Sequence, residues 1–166
     1  MESLGEGSYG TVYRIIDEKG KSYALKKMQV NPFMIDEAHN EIEVMRKFAH
    51  QNLVKIFESN FDGNDNLEII MEYCEDGDLL SYYKRKSKSL SPTEILTIFK
   101  QIVKAFIAMN VKGVFHRDLK PENVLIGKGS VIKIADFGCA KSINSDKIST
   151  IDNFSVDKGT PIYSSP

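Results

Sequence analysis

Apolar residues recur along this chain with two different periods, and the change between them marks its organisation. Positions 11–16 are rich in β-formers, Asp17, Glu18, Lys19 and Gly20 give a turn signal, and 21–28 is a second extended run, so the two form a predicted hairpin. Asn31 and Pro32 break it. Over 36–48 the apolar residues Ile35, Ala38, Ile42, Met45 and Phe48 follow helical spacing, with Asp36 placed to cap the N-terminus. Runs at 53–59 and 67–73 surround Asp62, Gly63, Asn64, Asp65 and Asn66, which predicts a second hairpin. Beyond Gly77 the period becomes helical. Ser91 can cap, Pro92 suits a first turn, and Glu94 completes a capping box. Ile95, Ile98, Phe99, Ile102, Val103 and Phe106 then form one apolar stripe of the kind that faces a core, and Gly113 can end the helix. Segments 124–126 and 131–135 flank Gly127, Lys128, Gly129 and Ser130, a third hairpin, and 141–166 reads as a long polar loop. The expected order is a strand-rich piece with one helix, a connector, and a helical piece: an α+β chain without internal repeats.

Composition narrows the function classes. The chain has 166 residues, 42% apolar and 27% charged, as for a globular protein. A net charge of −1 gives no electrostatic footprint for nucleic acid. The basic run Lys84, Arg85, Lys86 and Lys88 reads as solvated surface. The two cysteines, Cys74 and Cys139, have neither metal-ligand spacing nor a disulfide framework. The sequence shows no apolar signal region and no long apolar run, so the expectation is no membrane partner and a cytoplasmic or nuclear location.

Candidate chemistry begins with Gly5, Gly7 and Gly10 in the pattern G-x-G-x-x-G-x-V, with Val12 closing it. A dinucleotide-binding version of this motif opens a helix, whereas β-branched residues follow here, so the loop joins two strands and a dinucleotide-binding oxidoreductase is excluded. Such a flap can turn backbone N–H groups toward phosphate oxygens. Lys26 follows, on the strand face of Ala24, where a lysine needs an anionic partner: phosphate, or Glu41 on the next helix. Then come H-R-D-L-K-P-E-N, residues 116–123, and D-F-G, residues 136–138. Phosphoryl transfer needs a group to orient the attacking hydroxyl, metal ligands, and cations against the moving charge. Asp118, Asn123, Asp136, Lys120 and Lys26 supply those groups, and the carboxylate and amide oxygens suit Mg2+.

With four motifs in this order, the chain resembles the eukaryotic-type protein kinase family, Ser/Thr group, over almost its whole length. The resemblance implies a two-lobe fold: an antiparallel N-lobe sheet with one helix over 1–70, a hinge at 71–77, and a mainly helical C-lobe over 78–166. It implies ATP and Mg2+ as the groups bound and protein Ser/Thr hydroxyls as substrates. By similarity Lys26 holds the α- and β-phosphates and pairs with Glu41, the best match among Glu37, Glu41 and Glu43. Met71 lines the adenine pocket, Glu72 and Cys74 bind adenine through backbone atoms, Asp78 binds ribose, and Leu4, Val12, Ala24 and Leu125 sandwich the ring. Asp118 is the implied catalytic base, Lys120 steadies the transferred phosphoryl, and Asn123 and Asp136 ligate Mg2+. His116 packs with Met45, Ile56 and Phe137, and Cys139 is a small buried residue. Lys120 and Thr160 are Ser/Thr-kinase traits, and Ser149, Thr150 and Ser155 are candidate phosphorylation sites that could pair with Arg117. The hinge and residues 159–166 are similar to NIMA-related and autophagy-initiating kinases. The family's pattern continues past Ser164, Ser165 and Pro166 with a glutamate and several helices. The expectation is therefore a truncated kinase domain whose helical stripe lies partly open and which alone is weakly active or inactive. The alternative expectation is a nucleotide-binding or regulatory module without phosphotransfer.

Overall fold

A computed structural model describes residues 1–7, 10–31, 35–47, 49–61, 66–136 and 141–142. The chain divides into two compact units, one formed by Met1–His50 with Val54–Cys74 and the other by Gln51–Leu53 with Glu75–Pro166.

The first unit is built on five antiparallel strands. These are β1 (Glu2–Gly7), β2 (Gly10–Ile16), β3 (Ser22–Gln29), β4 (Ile56–Phe61) and β5 (Asn66–Glu72), in the spatial order β1-β2-β3-β5-β4. The turn at Asp17 to Gly20 forms as its residues predict. Asp17 Oδ1 accepts the N–H groups of Lys19 and Lys21, both at 2.9 Å, and Gly20 adopts φ +81°. Helix α1 (Ile35–Lys47) packs on β4. It begins at Ile35, so Asp36 lies inside its first turn rather than at the expected capping position. The second hairpin is also shifted. Strand β4 starts at Ile56, three residues after the predicted start, because Asn52 and Leu53 are drawn into the other unit. Among the described residues, Ala24, Leu25, Ile42, Met45, Val54, Ile56, Leu67, Ile69 and Cys74 are the buried apolar residues of this unit.

The second unit holds α2 (Leu79–Arg85), α3 (Pro92–Val111), and two small sheets. Strands β7 (Val124–Gly127) and β8 (Val131–Ile134) form the third expected hairpin, with Gly129 at φ +72° in its turn. Helix α3 begins and ends as its residues dictate. The Ser91 hydroxyl accepts the Glu94 N–H at 3.2 Å, and the Glu94 carboxylate accepts the Ser91 N–H at 2.9 Å. Gly113, at φ +65°, follows the C-cap residue Lys112.

The stripe on α3 lies partly open, as expected, but the centre of its buried side was not foreseen. Ile95, Phe99 and Val103 are exposed, as are Leu96, Ile107 and Val111. Ala105 and Met109 are the buried apolar residues of the helix, and the half-buried Ile98, Gln101 and Ile102 line up with them at helical spacing. Helical period locates an apolar face but not its centre when apolar residues occupy more than half of the turn. The pair β6 (Val114–Phe115) and β9 (Lys141–Ser142) was also not foreseen, since residues 141–166 read as loop. Two-residue strands carry no alternation for a sequence to display. None of the helices among the described residues is long and apolar enough to cross a membrane.

Candidate functional site

The sheet of the first unit brings four of the sequence-predicted residues onto one face. Its register sets Val12 and Ile69 opposite Lys26, and Arg14 and Met71 opposite Ala24. Residues directly opposed in a sheet point to the same side, as do residues two apart on one strand. Val12, Ala24, Lys26 and Met71 are therefore neighbours on a common face. Lys26 is only 9% exposed, a burial that a lysine tolerates only with compensation for its charge. Glu41 lies on α1, but its side chain is outside the described residues.

The glycine motif joins β1 to β2, as its β-branched sequel predicts. Gly5 pairs with Val12 and Gly7 with Gly10, with a register shift at Leu4, which is exposed. A Cβ on Gly5 would meet nothing, whereas one on Gly10, at φ +117°, would collide with the Lys27 carbonyl oxygen. Gly10 is required by the backbone, and Gly5 leaves open space beside the strand. Ser8 and Tyr9 lie outside the described residues. At the end of this unit the Glu72 N–H donates to the Lys55 carbonyl at 2.8 Å, and Cys74 is buried.

In the second unit, Asp78 has a structural duty that the sequence reading missed. It caps α2, accepting the Ser81 N–H at 2.8 Å and the Ser81 hydroxyl at 2.6 Å. Residues 76–78 also run along β7. Ile126 donates to Gly77 and Asp76 donates to Ile126, and Asp78 bridges Leu125.

The segment from His116 to Asn123 is tied into one cluster. The Asp118 side chain, 2% exposed, accepts from Lys120 Nζ at 3.0 Å and from Asn123 Nδ2 at 3.0 Å, both at Oδ2. Asn123 Nδ2 also donates to the Asp118 backbone carbonyl at 2.7 Å. Both contacts of Asn123 use its amide nitrogen, so Oδ1 is its acceptor end. A short 3-10 turn, Pro121–Asn123, sets this geometry. Burial alone would lower the Lys120 pKa, but its hydrogen bond to Asp118 and the charges of Asp118, Asp136 and Glu122 prevail and raise it. Lys120 is thus a firm cation.

His116, 2% exposed, is fixed by two backbone groups. Its Nε2 lies 2.8 Å from the Ala135 carbonyl, and its Nδ1 accepts the Asp118 N–H at 3.3 Å. A carbonyl can only accept, so Nε2 must carry the proton and the ring is neutral. Burial pushes its pKa down, in agreement. Ala135 in turn donates its N–H to the Asn123 carbonyl at 2.8 Å. The cluster is therefore bonded to the end of β8, one residue before Asp136. Arg117 and Asp136 both occupy the left-handed region, at φ +61° and +62°. Such strain costs on the order of 1–3 kcal/mol and persists only where surrounding bonds impose it. Phe137, Cys139, Ser149, Thr150, Ser155, Thr160 and the rest of 143–166 lie outside the described residues.

Two further side chains that sequence reasoning passed over, Asn52 and Gln101, hold the outer edge of β8. The available signal was Gln101 itself, a polar residue in line with Ile98, Ile102 and Ala105.

Asn123 and Asp136 carry hard oxygen donors of the type Mg2+ prefers, so the chemistry of this pair suits that ion. Together, an immobilised carboxylate, a held cation and oxygen ligands form a set suited to activating a hydroxyl and offsetting phosphoryl charge.

Comparison with known proteins gives a consistent picture. The family profile described as "Protein kinase domain" matches residues 1–166. The chain is 37% identical to NUAK family SNF1-like kinase 1 of Mus musculus, over 100% of this chain and 25% of that protein. It is 34% identical to Cell division control protein 7 of Schizosaccharomyces pombe, over 99% of this chain and 15% of the relative. It is also 34% identical to Serine/threonine-protein kinase TIO of Arabidopsis thaliana, over 100% of this chain and 12% of the relative. The chain thus spans a quarter or less of the length of these relatives.

Proposed function

The chain belongs to the eukaryotic-type Ser/Thr protein kinase family, and from that premise we propose that it transfers the γ-phosphoryl group of ATP to Ser or Thr hydroxyls of protein substrates. The observation that carries the reading is the buried cluster in which Lys120 and Asn123 both bond the Asp118 carboxylate.

In the first unit, the face bearing Val12, Ala24, Lys26 and Met71 serves the nucleotide. Lys26 meets its phosphates and pairs with Glu41, while Val12, Ala24 and Leu4 cover the base. Gly5, Gly7 and Gly10 let the flap backbone approach the phosphates, and the backbones of Glu72 and Cys74 take the adenine edge. In the second unit, Asp78 and Leu125 contribute to ribose and base. Asp78 is already committed as a helix cap, so a ribose contact shares its carboxylate with Ser81.

Asp118 orients the substrate hydroxyl and accepts its proton. Its two neighbours keep the carboxylate from rotating, which is the positional part of catalysis. Lys120 stays charged and offsets the developing charge on the phosphoryl oxygens. Asn123 and Asp136 would hold Mg2+, which when bound neutralises phosphate charge and orients the phosphates. His116 is not a proton shuttle in this scheme, because both ring nitrogens are engaged by backbone groups. Its role is to tie the Asp118 backbone to Ala135.

The test is label transfer from γ-labelled ATP to a mixed Ser/Thr peptide library, with a thermal melt in Mg2+-ATP beside it. Binding of ATP at a hundred times its dissociation constant stabilises the folded chain by about 2.7 kcal/mol. Asp118→Asn should keep that stabilisation and lower transfer by about a hundredfold or more. Stabilisation without any transfer by the unsubstituted chain would instead support a nucleotide-binding module. Neither stabilisation nor transfer would end both readings.

A further inference from the structure

The β7–β8 hairpin has two outer edges, and they are closed differently. On β7 the edge is taken by backbone, through residues 76–78. On β8 it is taken largely by two side chains. The Ile132 N–H donates to Gln101 Oε1 at 3.0 Å, and the Ile132 carbonyl accepts from Asn52 Nδ2 at 2.9 Å. The same Gln101 oxygen accepts from Asn52 Nδ2 at 3.0 Å, and Gln101 Nε2 donates to the Ser130 carbonyl at 3.3 Å. The Ile134 N–H then donates to the Asn52 backbone carbonyl at 2.9 Å. Ile132 and Ile134 are almost wholly buried, so these backbone groups have no access to bulk water.

Gln101 is thus the point where α3, the turn at 51–53 and β8 are locked together. A two-stranded sheet is marginal without such support. What β8 supports is the candidate site, because its next residues are Ala135, bonded to both His116 and Asn123, and Asp136.

We propose that Gln101 is a positioning residue for phosphoryl transfer, holding β8 so that Asp136 and Asn123 present their oxygens together to Mg2+. This rests on the function proposed above. Gln101 touches neither substrate nor metal in this scheme; it acts through the Ile132 backbone. A single amide oxygen that accepts from two segments sets their spacing, and that spacing propagates along one rigid strand to Asp136.

The experiment compares ATP binding by the 166-residue chain with and without Mg2+, by calorimetry, beside kcat and KM on a peptide substrate. Gln101→Met removes both acceptor bonds at similar volume. It should weaken binding of ATP with Mg2+ about tenfold and lower kcat by a similar factor. Binding of ATP without Mg2+ and KM for the peptide should stay within about twofold, since a residue acting only through metal positioning leaves these contacts alone. Gln101→Glu keeps an oxygen for both N–H donors and should recover most of the loss. Should Gln101→Met fail to fold, Gln101→Asn withdraws the oxygen by one methylene and must show the same Mg2+-specific loss. Equal weakening with and without Mg2+, or no weakening in a folded variant, overturns the proposal. An unsubstituted chain that binds no ATP under either condition defeats the proposed function, and this inference falls with it.

Discussion

At the scale of single residues, the site is governed by what each polar group is bonded to. Asp118, Lys120, Asn123 and Asp136 stood out in the sequence because their types and spacing match the needs of phosphoryl transfer. Their mutual bonds were not legible there, since Oδ2 of Asp118 could have met any cation within reach. His116 shows the gap most clearly. Its packing role followed from the resemblance, but its tautomer follows only from Ala135, nineteen residues on, presenting a carbonyl. That tautomer makes a pH prediction. Burial lowers the folded-state pKa of His116 below its ordinary 6.5, so the unfolded chain binds more protons in the window just below that value. Stability from this group is present above pH 6.5 and is lost as pH falls below it. Melts should therefore show a falling midpoint from neutral pH toward pH 5, with a shallower slope in His116→Gln. An unchanged slope in that variant would show that other groups carry the dependence.

At the scale of elements, boundaries with local chemical signals were legible, as was the strand face shared by Ala24 and Lys26, while the buried face of α3 was not. The start of α3 is the clearest case, because Ser91, Pro92 and Glu94 act on each other within one turn. The Ser91 N–H, then its hydroxyl and Lys86, hold the Glu94 carboxyl down to about 2 from an ordinary 4.5. The shift has the same sign as that of His116 but a different cause, hydrogen bonds to the charged form rather than burial. A depressed carboxyl contributes stability above its unfolded value and loses it as pH falls through the folded one, so this part disappears between about pH 4.5 and 2. Glu94→Gln retains a capping amide and should flatten that acid limb, while Ser91→Ala should cost about 1 kcal/mol at neutral pH. Denaturant melts of the two variants against pH would check both. The strands that sequence alternation located were also found, with ends displaced where a tertiary bond intervened, as Asn52 and Leu53 displace the start of β4.

At the scale of the whole molecule, burial is the quantity that local pattern could not supply. Met109, 1% exposed, and Phe99, 60% exposed, are both apolar residues of α3, and nothing in their neighbours' identities separates them. Met109→Ala should therefore destabilise the chain by about 2–5 kcal/mol, whereas Phe99→Lys paired with Ile107→Glu should change stability by less than about 1 kcal/mol. The paired variant should also reduce self-association in sedimentation, because it breaks an exposed apolar stripe. A stability loss from the pair as large as that from Met109→Ala would show that the stripe is covered in solution. The sequence by itself determined the family, the strand–glycine loop–strand flap, the sites of turns and caps, and the inventory of reactive groups, because these depend on residues close together in the chain. Tertiary structure alone decided which face of α3 is buried, that Val114 and Phe115 pair with Lys141 and Ser142, and that Asn52 and Gln101 close the edge of β8. Those outcomes depend on backbone groups that every residue carries alike, and only the packed chain selects which of them meet.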